Sequence, residues 1–172
     1  MRPPTVQDGP EVEHVVAALR ERMYGAISCL ATLAALARYT NIDTNAWFRV
    51  IDVAVAAGGL WAAALLAEFI ARLSVEGKAP RGRAAWAMLA SSGQILQAAA
   101  APALILALAG FGVLDTPTAV WIAMWFLVAE MGLIAFAAVH RAGLVWWQQA
   151  MAVLLLAGAG AAVVAVKMIA HH

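Results

Sequence analysis

The apolar residues of this chain are gathered into long runs, and only short polar segments separate one run from the next. Hydrophobic residues make up 65% of the 172 residues, and charged residues make up only 12%. An average soluble domain is about 45–50% apolar and about one quarter charged. A soluble fold of this size has too small a core to hide so much apolar surface. The pattern therefore predicts an all-α membrane protein whose helices are surrounded by lipid.

Five of the runs are long enough to cross the roughly 30 Å hydrocarbon core of a bilayer as helices. The predicted spans cover residues 23–39, 48–73, 84–110, 117–139 and 145–169. The first span is the shortest and lies at the lower length limit for a crossing helix. Thr116 is predicted to cap the fourth span and Pro117 to open it, because proline is favoured at the start of a helix.

A polar segment precedes the first span. Its Asp8-Gly9-Pro10 is typical of a helix start. Apolar residues then recur at helical spacing, at Val12, Val15, Val16, Leu19 and Met23. This spacing predicts an amphipathic helix that lies on the membrane surface, packs under the bundle or continues into the first span. We therefore expect a cytoplasmic tail with this helix over residues 1–22 and a five-span bundle over residues 23–172.

The basic residues predict an orientation. With five spans, eight of the 11 basic residues fall on the side that holds the N-terminus. The other side receives Arg38, Arg49 and Lys167. Cytoplasmic loops carry an excess of Lys and Arg. We therefore expect a multi-pass protein of the plasma (inner) membrane, with its N-terminus in the cytoplasm and its C-terminus outside.

Several kinds of chemistry have no support in the sequence. The net charge of +1 indicates no nucleic-acid partner. Cys29 is the only cysteine, which excludes an intramolecular disulfide, and the scattered histidines lack zinc-ligand spacing. His171 and His172 are assigned no metal role. Phosphate-loop, zinc-protease and serine-hydrolase motifs are missing. We therefore expect no enzyme activity, no metal and no cofactor.

Glu130 is the outstanding candidate for a functional residue. It lies near the middle of the fourth predicted span, and no basic residue lies within four positions of it. An acidic residue at the centre of a span is costly and commonly functional. A carboxyl left alone there is expected to be protonated, since desolvation penalises its charged form. Such a group could carry protons or bind a cation. The alternative is a neutral glutamic acid that is hydrogen-bonded to a neighbouring helix.

Gln94 and Gln97 add polarity to the third predicted span, where Ser91 shares their helical face. Gln94 and Glu130 both lie about ten residues from the predicted cytoplasmic ends of their spans. Pro102 removes one backbone donor nearby and kinks the helix. The pattern predicts a polar binding site at mid-depth made of Glu130, Gln94, Gln97 and Ser91. Ordinary hydrogen bonding between helices is the alternative interpretation.

Two charged pairs near span ends are predicted to be structural. Arg72 follows Glu68 by four residues, in the favourable order for an ion pair on one helix face. Asp52 follows Arg49 by three residues near the predicted outer surface. We expect an interfacial ion pair at each place, since arginine extends its head group toward the interface.

Small residues recur every four positions in the second and fifth spans. The second span carries Ala54, Gly58 and Ala62 on one stripe and Gly59, Ala63 and Ala67 on the next. Small stripes let helix backbones approach closely, which drives helix association in lipid. The stripes predict packing within the bundle, and a homo-oligomer seam or a membrane-protein partner is the alternative.

The chain resembles a family of small, uncharacterised multi-pass integral membrane proteins from GC-rich bacteria. The resemblance covers most of residues 20–172 and depends on short motifs: Arg22-Met23-Tyr24-Gly25-Ala26, Ala101-Pro102-Ala103-Leu104, Thr118-Ala119-Val120-Trp121 and Arg141-Ala142-Gly143-Leu144. The chain departs from the family pattern at Ala64, Leu66 and Gln97. The resemblance implies a membrane fold and no particular activity.

Two hypotheses about function follow. The first is an integral membrane protein that acts as a structural or accessory component of the lipid bilayer, as a homo-oligomer or with another membrane protein. The second is a small transporter or channel with a proton- or cation-linked site around Glu130. An enzyme that acts on lipid is the least supported class, because the sequence shows no nucleophile–base pair and no metal cluster.

Overall fold

The computed structural model describes residues 10–141 and four further positions, 147, 151, 154 and 158. Four α-helices make up residues 10–141: α1 (Pro10–Ala37), α2 (Ala46–Glu76), α3 (Arg83–Gly110) and α4 (Thr116–Arg141). No strand occurs in this part of the chain. The predicted fifth span, 145–169, lies outside the described residues except at those four positions, and so do Lys167, His171 and His172.

Three of the helices are long and apolar enough to cross a membrane: Ala46–Glu76, Arg83–Gly110 and Thr116–Ala137. These correspond to the second, third and fourth predicted spans, which are therefore confirmed as helices of membrane-spanning length. The described residues do not support the fivefold count. The fifth span falls outside them, and α1 is too polar to qualify because Arg20, Glu21 and Arg22 lie near its middle.

Of the arrangements predicted for the N-terminal segment, the structure shows the one in which its helix continues into the first predicted span. The predicted amphipathic helix and the first predicted span form one continuous helix of 28 residues, α1. Pro10 stands at its first position, where the missing N–H costs nothing. Between Pro10 and Ala37 no proline interrupts the hydrogen-bond ladder, so nothing in the sequence breaks the helix at residue 22. The boundary placed between residues 22 and 23 therefore falls inside α1.

The short connections make sequential helices antiparallel. α3 packs against all three other helices, and α1 packs beside α3 and also touches α2 and α4. α2 and α4 each pack against both α1 and α3 and make little contact with each other. We call the end that carries segments 38–45 and 111–115 the two-loop end, and the end that carries segment 77–82 the one-loop end. α1 begins and α4 finishes at the one-loop end.

Local capping sets where the helices begin and end. The Asn45 side chain accepts a hydrogen bond of 2.9 Å from the Trp47 backbone N–H at the start of α2. Gly77 ends α2 with a φ of 65°, a left-handed conformation that glycine adopts without steric cost. Asp115 caps the start of α4: its Oδ2 accepts a 2.9 Å hydrogen bond from the Thr118 backbone N–H.

The prediction that Thr116 caps α4 is wrong. Thr116 is the first residue of α4, and Asp115 stands at the capping position before it. The Thr116 hydroxyl instead donates a 2.7 Å hydrogen bond to the backbone carbonyl of Thr44. This bond ties the start of α4 to the α1–α2 connection. Asp115 can take over the cap because an aspartate is as good an N-cap residue as a threonine or better.

Close helix contacts hold the bundle together. A methyl group added at Gly25 of α1 would lie only 2.8 Å from the Cα atom of Ile95 on α3. At the two-loop end, the Trp47 ring lies directly over Gly110 and meets the Phe111 ring edge-on, with ring centroids 5.1 Å apart. The largest fully buried side chains are aliphatic and come from all four helices: Leu30, Leu33, Ile95, Leu106, Leu127, Val53, Val120 and Pro102.

The outward faces of the helices are also apolar. Large exposed side chains include Phe48, Leu66, Leu104, Trp125 and Leu133. Helices that are hydrophobic on all sides belong either in the core of a large protein or in a membrane. Within residues 10–141 no second layer of structure covers these faces, so their composition fits a lipid surrounding.

Candidate functional site

Glu130 on α4 is paired with Arg22 on α1. The Arg22 Nε donates a 2.8 Å hydrogen bond to Glu130 Oε1, and the Arg22 Nη2 donates to the same oxygen. The side chain of Glu130 is 13% exposed and that of Arg22 is 35% exposed. Both N–H groups of one guanidinium edge thus converge on a single carboxylate oxygen. This charge-assisted contact joins two helices whose residues lie 108 positions apart in the sequence.

The prediction of an isolated carboxyl at position 130 is therefore wrong. Sequence reasoning examined neighbours along α4, and it placed Arg22 in a tail outside the bundle. Because α1 is continuous, Arg22 lies about fifteen residues before the end of α1, and Glu130 lies about fourteen residues after the start of α4. At 1.5 Å per residue both are about 21–22 Å from the two-loop end. The equal distance of the two residues from the same end of two antiparallel helices could have predicted this pair.

The two glutamines do not join Glu130. Gln94 lies at a cavity of about 240 Å³ between α1 and α3, together with Ser91 and Ala18. Gln97 is on the exposed side of α3. Within the described part of the chain, no hydrogen bond connects either amide to the Glu130 carboxylate. The structure therefore brings Ser91 and Gln94 together and leaves Gln97 and Glu130 apart from them.

A larger cavity of about 530 Å³ lies between α1, α2 and α3, in the half of the bundle nearest the one-loop end. We call it the three-helix cavity. Ser91 and Ser92 of α3 line it, so one predicted site residue, Ser91, belongs to both cavities. The apolar part of the α2 wall consists mainly of small side chains: Leu60, Ala63, Ala64, Ala67 and Ala71. Sequence reasoning did not predict this cavity.

Charged residues of both signs surround the three-helix cavity. Arg72 Nε donates a 2.7 Å hydrogen bond to Glu68 Oε1, which confirms the pair predicted on α2. On α1, Arg20 Nη2 lies 3.1 Å from Glu21 Oε1. All four side chains line the cavity. The two arginines and two glutamates balance, so the cavity offers both cationic donors and anionic acceptors without a net charge.

Ser92 is the most buried polar residue of the three-helix cavity. It is only 3% exposed, yet its hydroxyl has no hydrogen-bond partner among the described residues. Its neighbour Ser91, by contrast, donates a 3.0 Å hydrogen bond to the carbonyl of Met88. Because Ser92 lines the cavity, a ligand or water atom there could accept a hydrogen bond from its hydroxyl.

The second predicted pair lies at the other end of α2. Arg49 Nη1 donates a 2.8 Å hydrogen bond to Asp52 Oδ2, which confirms that pair. The two predicted ion pairs of α2 therefore stand at opposite ends of one helix, and Arg72 Nη1 also lies 3.6 Å from Glu76 Oε1. Only the Glu68–Arg72 pair lines the three-helix cavity.

The small-residue stripes of α2 remain uncovered by the other described helices. A methyl group added at Gly58 or Gly59 would meet no atom within 4 Å. α2 is also the least buried of the three helices that could span a membrane. Predicted packing through these stripes within the bundle is therefore not seen in the described residues. Ala63 and Ala67 instead form part of the wall of the three-helix cavity.

Comparisons with protein-family models, with curated proteins and with solved structures find no match for this chain. The resemblance to small bacterial membrane proteins therefore stays a prediction. Among the residues that the structure describes, no three His, Cys, Asp or Glu side chains form a group that could hold a metal ion.

Proposed function

We propose that this chain is an integral membrane protein with a structural or accessory role and without catalysis of its own. The observation that carries the proposal is the ion pair between Arg22 and Glu130. The one acidic residue in the middle of a candidate span is already neutralised by a partner from another helix. Its charge is used to hold α1 against α4, and α1 is the helix that lipid alone would retain least well.

The energetic argument is that α1 carries an arginine to a depth where an unpaired charge is costly. Translocon-based scales assign roughly 2.5–3.5 kcal/mol to a central Arg or Asp. Pairing Arg22 with Glu130 offsets this cost for both helices at once. Each side chain gives the other its only charged partner among the contacts that the structure describes.

The proposed orientation has the one-loop end in the cytoplasm of a bacterial inner membrane. Among residues 38–141, that end carries Arg72, Lys78, Arg81, Arg83 and Arg141, while the two-loop end carries Arg38 and Arg49. The positive-inside tendency supports this direction without counting a fifth span. It would place the N-terminus of α1 in the cytoplasm.

A transporter that uses Glu130 is the rival proposal, and the geometry favours it less. Its predicted site needed Glu130 beside Gln94 or Gln97, and neither amide reaches the carboxylate. Glu130 also lines neither the three-helix cavity nor the Ser91–Gln94 cavity. The Arg22 guanidinium beside it also makes Glu130 one half of an ion pair and not an isolated carboxyl.

The two proposals can be separated with the full chain in proteoliposomes. Proton and potassium fluxes are measured under imposed gradients for the native chain, for Glu130→Gln and for the charge swap Arg22→Glu with Glu130→Arg. A structural pair predicts flux equal to that of empty liposomes in every case. It also predicts that the swap recovers part of the unfolding stability that Glu130→Gln loses, because either polarity makes the contact.

Flux above the background of empty liposomes that disappears in Glu130→Gln would overturn the structural proposal in favour of the transporter. Asp52→Asn is the matched control. It removes a carboxylate from an ion pair at the two-loop end of α2 and is expected to change neither flux nor the contact between α1 and α4.

A further inference from the structure

We infer that the three-helix cavity binds one zwitterionic phospholipid whose headgroup carries a phosphate and a primary ammonium. The headgroup lies among the charged and hydroxyl residues of the cavity, and an acyl chain lies along the small-residue face of α2. Neither Arg22 nor Glu130 lines this cavity, so the inference is independent of the function proposed above.

The charges of the cavity select the class of headgroup. Arg20 and Arg72 offer N–H donors to a phosphate, while Glu21 and Glu68 offer acceptors to an ammonium. A headgroup with a phosphate alone would leave the two glutamates facing an anion. A quaternary ammonium has no N–H group and cannot donate a hydrogen bond to them. A headgroup with a primary ammonium beside a phosphate can bond to the glutamates through its ammonium and to the arginines through its phosphate.

The hydroxyl of Ser92 adds an observation that does not depend on charge. The residue is 3% exposed and lines the cavity, and its hydroxyl makes no hydrogen bond to another described residue. It lies about nine residues, or roughly 14 Å, inside the one-loop end of α3. A phosphate or ester oxygen of a lipid at that depth would accept its hydrogen bond.

The shape of the α2 wall explains why the occupant is a lipid and not a free headgroup. Ala63 and Ala67 are exposed and continue a smooth face through Gly59, which no other described residue covers. Such a face accommodates a flexible alkyl chain without a clash. The cavity volume of about 530 Å³ lies within the roughly 300–1,000 Å³ that ligand pockets occupy.

The test uses the purified full chain, stripped of lipid in detergent, and native mass spectrometry. The probes are phosphatidylethanolamine, phosphatidylcholine and phosphatidylglycerol with identical acyl chains, together with free phosphoethanolamine. The expected result is one molecule of phosphatidylethanolamine bound about tenfold more tightly than either other lipid. Free phosphoethanolamine should not compete at the same concentrations.

Three variants locate the lipid. Ala67→Phe places an aromatic ring in the cavity at its α2 wall and should abolish the preference for phosphatidylethanolamine. Ser92→Ala and Glu68→Gln should each weaken phosphatidylethanolamine binding about tenfold, which corresponds to about 1.4 kcal/mol. The controls are Ala54→Phe, at an exposed position of α2 that does not line the cavity, and Asp52→Asn, in the other predicted ion pair. Both controls should bind as the native chain does.

Equal binding of the three lipids by the native chain would overturn the inference. So would unchanged phosphatidylethanolamine binding in Ala67→Phe, or full competition by free phosphoethanolamine. The mass of the complex also tests whether a second copy of the chain occupies this face. A dimer that becomes a monomer in Ala67→Phe, with no lipid bound in either case, would assign this face to a second copy of the chain.

Discussion

Gly25 on α1 and Ile95 on α3 mark the closest approach between these two helices, because a methyl group at position 25 would lie 2.8 Å from the Ile95 Cα atom and 3.1 Å from its carbonyl oxygen. Backbone atoms cannot move aside as the end of a side chain can. The contact therefore requires that residue 25 have no side chain. It also sets the rotation of α1 that directs Arg22, one turn earlier, toward α4.

Gly25→Ala should separate α1 from α3 and destabilise the bundle by about 1–3 kcal/mol, the usual cost of overpacking a filled core. Gly58→Ala is the control, since its new methyl group meets no atom within 4 Å. It should be neutral or slightly stabilising, because alanine favours a helix over glycine. Denaturant unfolding in detergent micelles measures both. Equal losses in the two variants would contradict the close approach at Gly25.

The pair Arg22–Glu130 predicts energetic coupling between α1 and α4. Arg22→Gln and Glu130→Gln should each be destabilising, and their effects should not add in the double variant. A fully buried pair loses about 3–5 kcal/mol when one partner is removed. Because Arg22 is 35% exposed, we expect a smaller coupling of about 1–3 kcal/mol. A double-mutant cycle of unfolding free energies measures it, and strictly additive losses would show that the side chains do not interact.

Asp115 predicts a pH dependence at the start of α4. The Thr118 backbone N–H donates to its carboxylate, which holds the pKa of Asp115 below its ordinary value of 3.8. Since the folded pKa is lowered, the cap stabilises α4 fully above pH 3.8 and loses this effect as the pH falls through the lowered value. Hydrogen exchange of the first α4 amides should therefore show less protection there at acid pH. Asp115→Asn keeps a capping oxygen but should remove the pH dependence. A pH profile that is the same in both chains would rule out this role.

We predict that the Thr116 hydroxyl stabilises the fold by joining the start of α4 to the α1–α2 connection. Its side chain is buried, and it donates a 2.7 Å hydrogen bond to the Thr44 carbonyl. Thr116→Val keeps the shape, loses that donor and leaves the carbonyl without its partner, so we expect a loss of about 1–2 kcal/mol. Thr32→Val is the control, because the Thr32 hydroxyl bonds only to the carbonyl of Ser28 in its own helix. Similar unfolding midpoints for the two variants would contradict the proposed tie.

Local patterns in the sequence predicted most of the helical elements. The spans predicted at 48–73, 84–110 and 117–139 agree within a few residues with α2, α3 and α4. The pairs Glu68–Arg72 and Arg49–Asp52 were also correct. These features depend on residues within four positions of each other, which a helix brings onto one face whatever surrounds it.

Contacts between helices were harder to predict from the sequence. Glu130 lies within α4, as the prediction had it, but its partner is Arg22 and not Gln94 or Gln97. The helices of this chain are apolar on nearly every side, so their hydrophobic pattern does not show which face meets which neighbour. The sequence therefore did not show which neighbouring helix supplies the partner of a polar residue at a given depth.

The sequence by itself thus determined that the chain forms long apolar helices, the bounds of α2, α3 and α4 to within a few residues, and which charges pair along one helix. Only the tertiary structure decided that α1 is continuous through residue 22, that Arg22 reaches Glu130, and that Ser92, Glu68 and Arg20 line one cavity. The physical reason is that the hydrogen bonds of a helix are local in sequence, whereas its rotation depends on close contacts such as that of Gly25 with Ile95. Those contacts join residues far apart in the chain, and no short pattern encodes them.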